Sequence, residues 1–139
     1  MSMTWKIVPD GSRLTSGVQV EAEDGLLPLV AFFAELNPSR YPELIDANLR
    51  HNALHTEMSG IRFQENLDEE DELDGLSFGS EEMLIYNHMS GDIIFQTKEF
   101  AIITVAFLTK FIEIQTGGNK YPGELLGAIK ANLPTLDEG

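Results

Sequence analysis

The chain has 139 residues, 42% of them hydrophobic, which suits a single domain with its own core and excludes a disordered chain. It has no cysteine, so a disulfide scaffold, a thiolate zinc site and a cysteine nucleophile are all excluded. With 23 Asp and Glu against 9 Lys and Arg, the formal net charge is −14. That balance argues against binding nucleic acid or an anionic membrane surface, and favours a basic partner protein or a cation.

The opening stretch "MSMTWKIVPDGSR" has no basic run leading into an apolar one, so no secretion signal is expected. Trp5 to Val8 is a predicted strand, closed by the turn signal Pro9-Asp10-Gly11. Val18, Val20 and Ala22 alternate with Gln19, Glu21 and Glu23, the period of a strand with one wet face. Asp24 is a predicted N-cap for "GLLPLVAFFAEL", a helix apolar almost all round, with Pro28 in its first turn and Asn37-Pro38 at its end. A second helix is predicted from about Pro42, with Ile45, Leu49 and Ala53 on one stripe and Gly60 as its stop.

Beyond Gly60 the pattern turns to strands. "GIRFQ" precedes an acidic run, and "EMLIYNH" and "DIIFQ" make a hairpin across Met89-Ser90-Gly91. Thr97 can cap the next helix, in which Phe100, Ile103, Phe107, Phe111 and Ile114 form a core stripe. Gly117-Gly118 ends it, and "YPGELLGAIKANL" is a last short helix. The apolar stretches "FAII" and "VAFL" fall far short of the ~20 residues a membrane span needs. A soluble, cytoplasmic protein is expected. The element order predicts an α+β fold, with an antiparallel sheet packed against about four helices in one domain over 1–139. An acidic loop is expected at 66–75 and a frayed tail at 134–139. The stretch "FFAELNPSRYPELIDANL" is also echoed by "KFIEIQTGGNKYPGELLGAIKANL", each reading as a helix, a basic-Tyr-Pro step and a new helix.

The strongest local feature is "LDEEDELDG", Leu67 to Gly75, with six acids: Asp68, Glu69, Glu70, Asp71, Glu72 and Asp74. Counted from Glu70, acids fall at positions one, three and five of a calcium loop, Gly75 at six and Glu81 at twelve. Glu70 is longer than the Asp usual at the first position, Ser77 replaces a hydrophobic residue, and the flanks read as strands, so no calcium site is expected. His51 and His55 would share a helix face, but Asn52 stands where a zinc hydrolase needs its Glu base, so no metal is expected there. "TGGNKYPGE" lacks the spacing of a phosphate loop, and no catalytic nucleophile motif is present. No cofactor and no catalytic residue are expected. The six acids are the candidate partner-binding residues, expected to form an extended, solvated loop.

The block "EEMLIYNHMSGDIIFQTKEFAIITVAFLTKFIEI", about a quarter of the chain, together with the size and acidity, resembles small acidic bacterial immunity proteins. The resemblance implies a non-enzymatic inhibitor that neutralises a cognate toxin, such as a nuclease, by laying carboxylates in the basic groove meant for phosphates. "LIDANL", Leu44 to Leu49, and the amphipathic 97–116 helix are similar to type III secretion chaperones, which would imply binding of an effector segment across apolar grooves. A cation-binding domain is the third alternative.

Overall fold

A computed structural model of the chain describes residues 5–9, 18–73, 75, 78–118 and 123–138. Strands β1 (Trp5–Pro9) and β2 (Val18–Ala22) pair antiparallel, Trp5 opposite Ala22. The turn predicted at Asp10-Gly11 lies outside the described residues. Helix α1 (Leu27–Glu35) and helix α2 (Tyr41–Arg50) follow. The second sheet contains β3 (Leu54–His55), β4 (Ser59–Phe63), β5 (Glu82–Asn87) and β6 (Gly91–Gln96). It is antiparallel, in the order β3-β4-β5-β6, so β3 and β6 are its edges. Helix α3 (Glu69–Leu73) lies between β4 and β5, and helices α4 (Thr97–Gly118) and α5 (Gly123–Glu138) complete the chain. Among the described residues, two antiparallel sheets and five helices make the fold α+β.

The apolar periods decide how these elements stack. Ile61, Phe63, Met83, Ile85 and Phe95 point to one face of the second sheet and are buried. Helix α1 covers that face and touches β2 on its other side, while α4 packs on β6, the β1–β2 hairpin, α2 and α5. Trp5 Nε1 donates to Glu99 Oε2 at 2.6 Å, fastening the hairpin to the first turn of α4. At the centre is an aromatic cluster. Phe33 lies 5.6 Å from Phe100 and 4.8 Å from Phe107, and Tyr41 meets Phe107 and Phe111 edge-on at 5.6 and 4.9 Å. These rings come from α1, α2 and α4, so one cluster joins three helices.

Two asparagines on the inner side are tied by hydrogen bonds between elements. Asn87, nearly buried, donates to Ser59 Oγ at 2.8 Å and to Glu35 Oε2 at 3.0 Å. Its Oδ1 accepts from the backbone N–H groups of Met89 and Ser90, which closes the β5–β6 turn. Asn48 of α2 donates to Thr104 Oγ1 of α4 at 3.2 Å.

Several expectations need correction. Asp24 does not cap α1 through its side chain; it opens a short 3₁₀ turn, Asp24–Leu26, that leads into the helix. The second helix stops at Arg50, well short of Gly60, because His51 adopts the left-handed conformation (φ 55°) that reverses the chain. The His51 carbonyl is satisfied by Asn66 Nδ2 at 3.1 Å, so the helix end does not need a glycine. His51 and His55 therefore sit on different elements, a helix cap and an edge strand, and share no helical face. Thr97 lies inside the first turn of α4 and donates its hydroxyl to the Glu81 carbonyl at 3.1 Å. The tail is also helical. Helix α5 continues past Pro134 to Glu138, and Leu136, 5% exposed, joins the core with Ile129. Its spacing from Leu133 and Ile129 keeps one stripe facing inward, and burial outweighs the hydrogen bond lost at Pro134. The two helix pairs of the internal echo are present as α1–α2 and α4–α5, though Tyr121 and Pro122 lie outside the described residues.

Candidate functional site

The acidic run is a short helix fastened to the sheet, not an extended loop. Asp68 precedes α3, and its Oδ1 accepts from the Asp71 backbone N–H at 2.9 Å. Asp71 answers, its Oδ2 accepting from the Asp68 N–H at 3.0 Å. This reciprocal pair is a capping box built from two aspartates, and it satisfies donors that a helix start leaves open. Glu69 and Glu70 occupy the first turn, where the positive end of the helix dipole favours acids.

A single cation holds this helix to β4. Arg62 Nη1 donates to Asp71 Oδ1 at 3.0 Å and Nη2 to Asp71 Oδ2 at 2.7 Å, a bidentate pair, and Nη2 also donates to the Asn66 carbonyl at 3.0 Å. Arg62 lies between Ile61 and Phe63, which face the core, so its side chain leaves the opposite, outer face of the sheet. The acidic segment is therefore strapped across that outer face. The Arg62 hydrogen bonds, helped by the Asp68 backbone N–H, hold the Asp71 carboxyl well below the usual carboxylate range. Arg62 is held above its ordinary value, first by its hydrogen bond to Asp71.

The six acids thus divide. Asp71 is spent on Arg62, and Asp68 both caps α3 and stays exposed at the surface. Glu69 and Glu70 are exposed, and among the described residues no Lys, Arg or His pairs with either. Asp74 and the side chain of Glu72 lie outside the described residues. Leu73, at the end of α3, is 86% exposed, a residue that gains nothing from folding where it stands. Two acids of α2 contrast with this group. Glu43 and Asp46, which line a cleft of about 440 Å³ beside Pro42 and Leu54, are paired with Arg40 and Arg50, each at 3.0 Å.

The histidine next to the segment is a structural neighbour. His51 stacks flat on Phe63 with ring centroids 4.7 Å apart, and its Nδ1–H donates to Glu65 Oε2 at 2.8 Å. Partial burial works against the Glu65 charge, but backbone hydrogen bonding and the His51 ring leave its carboxyl below the usual range. Among the described residues no group of three or more His, Asp or Glu is placed to hold a metal. The calcium-loop register has β4 and a 3₁₀ turn before it and β5 after it, and its first positions fall inside α3 itself. Positions 72, 74, 76 and 77 of that register are wholly or partly outside the described residues. No helix among the described residues is long and apolar enough to cross a membrane.

The pair has a pH signature. The Asp71 pKa is depressed in the native state, so its contribution is full above the unfolded value of about 3.9 and is lost as pH falls through the lower native value. Asp71→Asn is expected to lower Tm by a constant amount from pH 5 to 8. The gap to wild type should begin to narrow below about 4, where the unfolded Asp71 takes up its proton, and close only as pH falls through the lower native value, where both chains carry an uncharged group there. A gap that persists unchanged in acid would mean that the side chain acts through shape and not charge.

No family model matches this chain, and no curated relative or solved structure does.

Proposed function

We propose that the protein is a non-enzymatic binder of a basic protein, and that the form of this activity is immunity: covering the basic active site of a cognate bacterial toxin, such as a nuclease. One observation carries the reading. The acidic segment is fastened to the outer sheet face by the chain's own Arg62, which leaves Glu69 and Glu70 exposed with no partner cation among the described residues, beside the exposed Asp68 that caps α3. A preorganised set of carboxylates loses less entropy on meeting a basic groove than a free loop would. Their field also raises the encounter rate, over the ~8–10 Å that salt permits. No catalytic group is required for such inhibition. Bacterial, cytoplasmic and toxin-directed are parts of this proposal, as is the absence of nucleic acid and membrane among its partners.

The test is co-expression with a toxin encoded beside this chain. The reading expects growth to be restored, and a purified complex whose affinity falls at least about tenfold when salt rises from ~50 to ~300 mM. A partner that is an extended apolar effector segment, bound with an affinity flat in salt, would favour the secretion-chaperone reading instead.

A further inference from the structure

The acidic segment covers only part of the outer sheet face. Strand alternation sends Gly60 and Arg62 of β4, Leu84 and Tyr86 of β5, and Asp92 and Ile94 of β6 to that face. At the Arg62 end it is roofed. Leu84 faces outward yet is 7% exposed, and Phe78 from the segment after α3 is 9% exposed; both stand apart from the main core. The register places Arg62, Leu84 and Ile94 in one cross-strand row and Gly60, Tyr86 and Asp92 in the next. The roof stops short of Ile94, the β6 end of the first row, which is 41% exposed, and in the second row Asp92 is exposed and Tyr86 half-buried.

Tyr86 is set in a particular way. A Cβ at Gly60 would overlap the Tyr86 ring and hydroxyl, so the ring lies across the bare backbone of Gly60. Glycine there makes room for the ring against the sheet backbone, with the His88 ring tilted beside it at 6.0 Å. On the other side of Tyr86 the register sets Asp92 directly opposite, on the same face of the sheet. A flat aromatic face beside a carboxylate is complementary to a guanidinium group, which is planar, stacks on aromatic rings and pairs with carboxylates. A lysine ammonium meets the charge but not the plane.

We propose that the outer face of the β3–β6 sheet is the docking surface for the basic partner, and that Tyr86 and Asp92 receive an arginine of that partner. The assignment rests on the basic-partner reading above and names where it acts. Charge selects the occupant. Arg62, the cation of this face, is already bound to Asp71, and the neighbouring segment adds Asp68, Glu69 and Glu70. A second copy of this chain would bring the same net charge of −14 to the surface and be repelled, as would a polyphosphate.

The experiment uses the full chain, labelled for NMR, titrated at low salt with an oligo-arginine and an oligo-lysine peptide of equal length. Both peptides should shift the α3 amides. Only the arginine peptide should also shift the Tyr86 ring and the Ile94 methyl groups, and it should bind roughly three- to tenfold tighter. Tyr86→Leu, which keeps apolar bulk over Gly60, and Asp92→Asn should each remove the arginine preference while α4 amides stay in place. Equal binding of the two peptides, or a Tyr86 ring that does not move, would overturn the arginine site while leaving the acidic segment in play. Unmoved α3 amides with both peptides would instead remove the basic-partner reading on which it rests.

Discussion

Exchanging Glu69, Glu70, Glu72 and Asp74 for their amides slows association with the basic partner by roughly one to three decades at low salt, with a flatter salt dependence. These four are chosen because the structure assigns Glu69 and Glu70 no partner cation among the described residues, and the other two flank them in sequence. Asp68 and Asp71 are left in place, because they cap α3 and hold it to Arg62. The dissociation rate should change much less than the association rate, since long-range charge acts mainly before contact. Far-ultraviolet circular dichroism and Tm should stay at wild-type values or rise slightly as repulsion is relieved. Stopped-flow association across a salt series reads the effect. An unchanged rate would reduce the run to a solubilising spacer. Exchanging all six acids is a different experiment: it also releases α3 from the sheet, so a loss of binding there would not separate charge from structure.

Phe107→Ala is expected to be the most damaging single change to stability. Its ring is fully buried and touches Phe33 of α1 and Tyr41 of α2, so truncation opens a cavity where three helices meet. Changes of this kind cost about 3–5 kcal/mol, a large part of the 5–15 kcal/mol that holds a typical domain together. For a chain of this length that corresponds to a fall in Tm of roughly 10 °C or more. Ile102→Ala, on the same helix but 55% exposed, should change stability by less than about 0.5 kcal/mol. Urea titration of both variants checks the contrast. Comparable losses in the two would mean that the outward face of α4 is covered in the native protein.

The elements easiest to read were those whose period and punctuation agree. The Phe100, Ile103, Phe107, Phe111 and Ile114 stripe predicted both α4 and its inward face; the first four are fully buried and Ile114 is partly buried against the core. The β5–β6 hairpin was equally legible from two apolar runs around Met89-Ser90-Gly91. Of the features misread, three show different reasons. The acidic run looked like a self-repelling loop because six like charges dominate its composition. The Asp68–Asp71 capping pair was there to be seen locally, but the Arg62 that neutralises Asp71 is nine residues away, and nothing in the spacing announces it. Helix α2 was extended too far because His51, not glycine, makes the left-handed turn, with Asn66 from a later segment satisfying its carbonyl. The tail was stopped at Pro134 because proline is read as a breaker, whereas Leu136 finds a place in the core that outweighs it. The open outer face needed the strand register. Tyr86, Gly60 and Asp92 are scattered over more than thirty positions in sequence and become neighbours only when three strands pair.

The β6 edge has a consequence for how concentrated this protein can be. Gly91–Gln96 ends the sheet, and among the described residues no further strand pairs with it. It contains Ile93, Ile94 and Phe95 in succession and no proline, which makes it a template for edge-to-edge aggregation. What keeps copies apart near neutral pH is the −14 charge, a colloidal barrier that acts before two edges can meet. That barrier vanishes as pH approaches the isoelectric point of about 4.4. The Arg62–Asp71 strap outlasts it, because the Asp71 carboxyl is held well below the usual carboxylate range. Mild acid therefore removes the repulsion between molecules before it reaches the Asp71–Arg62 pair, so precipitation should set in while the core is still folded.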